Sequence, residues 1–93
     1  VLKPAAHDAA LARTSHLPYV LATALARVGG AAARKRLAGP GFASMTRLAA
    51  SDPRTALAYV RANRGNVEDA WRALRREVDR DVKRLRAGTR APR

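Results

Sequence analysis

The chain has 93 residues, no cysteine, and 19 basic against seven acidic side chains, for a formal charge of +12. That length allows one small domain, and the missing cysteines exclude disulfides, thiolate metal sites and cysteine nucleophiles. The apolar residues include 22 alanines against ten leucines and seven valines, with no isoleucine; at roughly 25 cal/mol per Å² of buried apolar area so thin a core favours a domain that completes itself on a partner.

The pattern is helical throughout, since β-branched residues are few and no stretch alternates apolar and polar over strand length. A first helix is expected to open at Pro4, a residue suited to a first turn. It runs through residues 5–28 and stops at Gly29–Gly30, with Leu11, Leu17, Leu21, Leu25 and Val28 at helical spacing. Pro18 cannot donate to the Thr14 carbonyl and clashes with it, so a kink is expected there, with Ser15 and His16 in the kinked turn. A short basic helix, 31–38, follows and is closed by Gly39-Pro40-Gly41. A third short helix spans 42–50. Ser51 reads as the N-cap of a fourth, with Asp52 and Pro53 in its first turn, ending near Asn63-Arg64-Gly65. Asn66 then caps a long last helix with Glu68 and Asp69 at its positive end. Along it Val67, Trp71, Leu74, Val78, Val82 and Leu85 recur in steps of three and four, a seam that requires another helix against it. Gly88 closes it. The expected fold is an all-α bundle of about five helices, two of them long, over 1–88, followed by a disordered basic tail, 89–93.

The longest uncharged run, 14–26, is too short for a bilayer, and no basic-apolar-small signal peptide opens the chain, which fits a cytoplasmic protein. The start at Val1 rather than Met suggests a segment of something longer. Sixteen of the 19 basic residues are arginine; arginine and alanine inflated together reflect a GC-rich genome as readily as a phosphate partner, although the charge still attracts anions.

Two polar residues stand out. His16 lies among apolar neighbours at the proline kink, either as a buried histidine bonded to a backbone carbonyl or as a polar group aimed into a ligand cleft. Arg47 is the only charge between Arg36 and Asp52; it either snorkels to the surface or holds a ligand carboxylate bidentately. The run Arg72, Arg75, Arg76, Arg80, Lys83, Arg84 and Arg86 lies mostly opposite the seam and is broken by Glu77, Asp79 and Asp81. That is the pattern of a solvated, ion-paired face; a nucleic-acid surface, the alternative, lacks an aromatic stacking platform. No Ser/His/Asp set, carboxylate pair, Gly-rich nucleotide loop or metal motif appears, so the chain alone is expected to catalyse nothing and to bind no cofactor.

His7-Asp8 followed by Ser15-His16-Leu17-Pro18 is similar to the His-Asp…Ser-His-Leu-Pro-His helix of the prephenate dehydrogenase family. Gly41-Phe42…Thr46-Arg47-Leu48-Ala49…Ser51-Asp52-Pro53…Asn63 resembles that family's Gly-Phe…Thr-Arg-Ile-Ala…Ser-Asp-Pro…Asn stretch, in the same order and spacing. The resemblance covers about residues 4 to 85. It implies a helical C-terminal domain that builds a homodimer and joins an N-terminal Rossmann domain binding NAD or NADP. The whole enzyme would oxidatively decarboxylate prephenate or arogenate in tyrosine biosynthesis, with the substrate between the two domains. By position, Arg47 matches the arginine that grips a substrate carboxylate, while Ser15, His16 and Tyr19 fall on the cleft-lining helix. Tyr19 stands where many members carry a second histidine, Ala56 where many have tryptophan, and Ser44 where an acidic residue is common.

Overall fold

A computed structural model of the chain describes residues 3–34, 36 and 39–88. Among these there is no strand. Helix α1 spans Pro4–Leu11, a π turn Ala12–His16, α2 Leu17–Arg34, α3 Pro40–Thr46, a 3₁₀ turn Arg47–Ala50, α4 Pro53–Ala62 and α5 Arg64–Arg86. Because α1, the π turn and α2 are continuous, these five helices make four rods, two of them long, in agreement with the expected all-α bundle. The basic tail 89–93 lies outside the described residues.

The kink expected at Pro18 takes the form of the π turn. The Leu17 N–H reaches back five residues to the Ala12 carbonyl, which widens the ladder by one residue just before the proline that cannot join it. Wide turns of this kind commonly occur at functional sites. Thr14 turns its hydroxyl onto the Ala10 carbonyl at 2.9 Å, so the turn is stitched from the side-chain side as well.

Several boundaries differ from the sequence reading, each for a local reason. The first rod does not stop at Gly29–Gly30 but continues to Arg34, and residues 31–34 belong to it rather than to a separate basic helix; residues 35, 37 and 38 lie outside the described set. Gly29 serves packing here, not termination. A Cβ built on it would stand 2.9 Å from Cζ of Phe42 and 3.2 Å from Cδ1, so the missing side chain lets the Phe42 ring lie on the helix backbone. Among the described residues beyond the rod, Arg36 is left-handed, at φ 61°. The segment 42–50 is two elements: α3 starts on Pro40 and gives way at Arg47 to the tighter 3₁₀ turn. The N-cap of α4 is Asp52 rather than Ser51; its carboxylate accepts from the Arg54 N–H at 3.1 Å and from the Thr55 hydroxyl at 3.3 Å. The N-cap position of α5 is Asn63 rather than the expected Asn66, three residues earlier; Asn66 lies inside the helix, its amide donating to the Asn63 side-chain oxygen at 2.8 Å. Gly88, at φ 77°, closes α5 as expected, its N–H bonding the Leu85 carbonyl at 3.2 Å.

The core is small and centred on the π turn. Ala12 and Leu17 pack on Val67 and Ala70 of α5, with Leu21, Val60 and Leu74 around them, and no large side chain is fully buried among the described residues. Alanine at both sides of the crossing lets the rods approach closely but buries little area. The seam of α5 is therefore only half used. Val67 is buried and Leu74 partly so, whereas Val78, Val82 and Leu85 are 47%, 48% and 53% exposed. The radius of gyration of 15.4 Å exceeds the ~12 Å of a compact domain of this length, because the end of α5 projects from the body.

The Gly29–Phe42 contact gives a signed prediction. With Phe42 in place, Gly29→Ala must displace the ring and lower stability by on the order of 1 kcal/mol or more; in a Phe42→Ala background the same change gains up to about 1 kcal/mol of helix propensity. Thermal unfolding of the four proteins of this cycle checks it, and the expected result is a sign reversal.

Candidate functional site

A cleft of about 440 Å³ opens between the π turn and the start of α2 on one side and the 3₁₀ turn and α4 on the other. Thr14, Ser15, His16 and Tyr19 line the first wall; Leu48, Ser51, Asp52, Thr55, Ala56, Tyr59 and Val60 line the second. Three of the four residues singled out from the sequence, Ser15, His16 and Tyr19, therefore share one cavity. The π turn brings this about by swinging residues 14–16 away from the core that Ala12 and Leu17 occupy. The Asp52 cap fixes the start of α4, and with it the positions of Ser51 and Thr55.

The fourth, Arg47, is placed otherwise. It is exposed, it does not line the cleft, and no hydrogen bond or ion pair joins it to a partner among the described residues. Its neighbour Leu48 does line the cleft, so Arg47 is one residue from a lining position in the same 3₁₀ turn. Asp52 is the only lining residue with a full formal charge among the described residues.

His16 is half-buried and is held by neighbours the sequence reading did not single out. Its ring lies parallel to that of Tyr59, at 12° with centroids 6.3 Å apart. Its Nδ1 is 3.1 Å from the Asn63 amide nitrogen, which also donates to the Asp8 carbonyl at 2.7 Å. The partner is thus a side-chain amide from the α4–α5 junction rather than the backbone carbonyl of the simpler reading. In the sequence Asn63 marks a helix end and closes the second motif segment, and Tyr59, 61% exposed, carries no periodic signal. The available clue was the occurrence of Asp8, His16 and Asn63 in the two motif segments; nothing in either segment alone says that they meet.

The basic face of α5 behaves as a solvated surface. Arg72 meets Asp69 at 2.7 Å and Glu68 at 3.8 Å, Arg80 meets Glu77 at 3.7 Å and Arg75 meets Asp79 at 4.0 Å, all largely exposed. Such pairs contribute a fraction of a kcal/mol each. No helix among the described residues is long and apolar enough to cross a membrane.

The family model for the prephenate dehydrogenase dimerization domain matches residues 3–90, nearly the whole chain. The chain belongs to that family. No curated protein matches it. Membership of a dimerization-domain family implies a homodimer, and the family match falls on the same helices that build the cleft.

The Asp52 cap yields a stability test. Asp52→Ala should cost about 1 kcal/mol, and Asp52→Asn, which keeps an acceptor, much less. Denaturant unfolding of the two variants distinguishes a true cap from an incidental rim carboxylate.

Proposed function

We propose that this chain is the dimerising, substrate-contacting part of an NAD- or NADP-dependent prephenate or arogenate dehydrogenase of tyrosine biosynthesis. The observation that carries the reading is the convergence of Ser15, His16 and Tyr19 on one cleft in a chain matched almost end to end by the dimerization-domain family. In this reading the nicotinamide nucleotide is held by a Rossmann domain, because these 93 residues contain no Gly-rich phosphate loop. The nucleotide would accept the hydride. The residues of this chain would bind and orient the substrate.

Each wall has a separate task. Tyr59 and Leu48 supply apolar area for the ring of the substrate, and Ser15, Thr14 and Thr55 supply hydroxyls. Arg47, next to Leu48 in the chain and exposed, would meet a substrate carboxylate outside the cleft lining. A guanidinium with no partner of its own can do this without breaking an existing ion pair. The second long-range feature, the uncovered stretch of the α5 seam at Val78, Val82 and Leu85, fits the homodimer contact. A nucleic-acid role for the same helix is disfavoured by carboxylates at 69, 77 and 79 paired with its arginines.

Two measurements test the reading. In the enzyme containing the nucleotide-binding domain, Arg47→Ala should raise KM for prephenate or arogenate by about tenfold or more, the worth of a charged hydrogen-bonded contact; an unchanged KM would remove Arg47 from substrate binding. Val78→Asp with Val82→Asp should convert the dimer to a monomer in sedimentation equilibrium, since two carboxylates would have to be buried unpaired. A doubly substituted protein that remains dimeric places the contact elsewhere.

A further inference from the structure

The hydrogen-bond pattern around Asn63 fixes more than the position of His16. A backbone carbonyl can only accept, so the Asn63 atom 2.7 Å from the Asp8 oxygen must be the amide nitrogen, and the orientation of the amide follows. Its oxygen is then turned to the Asn66 amide, which donates to it at 2.8 Å. One of the two Asn63 N–H bonds serves Asp8. The other is left for His16 Nδ1, 3.1 Å away, and because an amide nitrogen cannot accept, the ring nitrogen in this pair must offer its lone pair.

We infer that Asn63 is a positioning residue that commits His16 to one neutral tautomer, with Nδ1 accepting and the proton on Nε2, so that the cleft presents a hydrogen-bond donor at this point. Asn63 does not line the cleft whereas His16 does; with Nδ1 turned to Asn63, Nε2 is the ring nitrogen left for a ligand. The group recognised there is consequently an oxygen with a free lone pair, carboxylate, carbonyl or hydroxyl, and not an ammonium. The Tyr59 ring lies nearly parallel to the imidazole, with centroids 6.3 Å apart, and the Asn66 bond holds the amide oxygen in place. Three elements, α1 through Asp8, the π turn through His16 and the α4–α5 junction through Asn63, are thereby tied at one amide nitrogen.

Only the ligand-chemistry step of this inference rests on the proposed function. The tautomer can be measured without any substrate, so failure of one is distinguishable from failure of the other. The experiment is long-range ¹H–¹⁵N correlation on the intact protein with ¹⁵N-labelled histidine, at mildly alkaline pH, with the His16 signals assigned by their loss in His16→Gln. The expected spectrum has a protonated Nε2 and an unprotonated Nδ1; a protonated Nδ1, or an equal mixture of tautomers, would overturn the inference. Asn63→Asp replaces the donor with an acceptor and should move a proton onto Nδ1 while helicity is retained. A folded Asn63→Asp protein with Nδ1 still unprotonated would contradict the assignment as well, and if that variant does not fold, the unsubstituted spectrum decides. In the complete enzyme Asn63→Asp should raise KM more than it lowers kcat, a split that a loss of stability alone does not produce.

Discussion

The structure depends on one helix crossing. The wide turn Ala12–His16 lies against the first turns of α5, where Ala12 and Leu17 meet Val67 and Ala70. Small residues on both rods allow the close approach, and the π turn allows a proline to follow without breaking the rod. The residue inserted by the π turn rotates the polar side chains 14–16 out of that contact. Core and cleft are two sides of the same turn, so neither can be altered without moving the other.

The same economy leaves the domain incomplete as a single chain. Alanine brings backbones together but contributes little buried area, and the described residues include no large side chain that is fully buried. The apolar residues that would otherwise build a core, Val78, Val82 and Leu85, lie along the projecting end of α5. A chain of this composition gains stability by association, which is the property named by the family to which it belongs. The many arginines of α5 are compatible with this because they lie mostly on other faces of the helix and pair locally with carboxylates.

Much of this was legible in the sequence where the signal was local. Periodicity, Pro4, Pro53 and Gly88 marked the helices and several of their ends, and the clash at Pro18 located the deformation that opens the cleft. Two failures came where a long-range contact overrode a local rule. Gly29 reads as a stop because glycine disfavours helix interiors, yet the Phe42 ring needs the space its missing Cβ leaves. Asn63 reads as punctuation between helices, and its work on His16 spans 47 positions of the chain, a relation that no periodicity encodes. Arg47 stands out in the sequence as a lone charge, but its place outside the cleft lining follows from the 3₁₀ turn that stands where a helix is expected.

The claim that the close crossing at the π turn holds both core and cleft is tested most directly by adding volume there. Ala12→Leu and Ala70→Leu should each lower stability by about 1–3 kcal/mol, and Ala58→Leu, on the exposed face of α4, should change it little. Calorimetric melting of the three variants therefore should show a drop of several degrees for the first two and almost none for the third. Equal tolerance at all three positions would mean that the rods do not meet as described and would contradict the account.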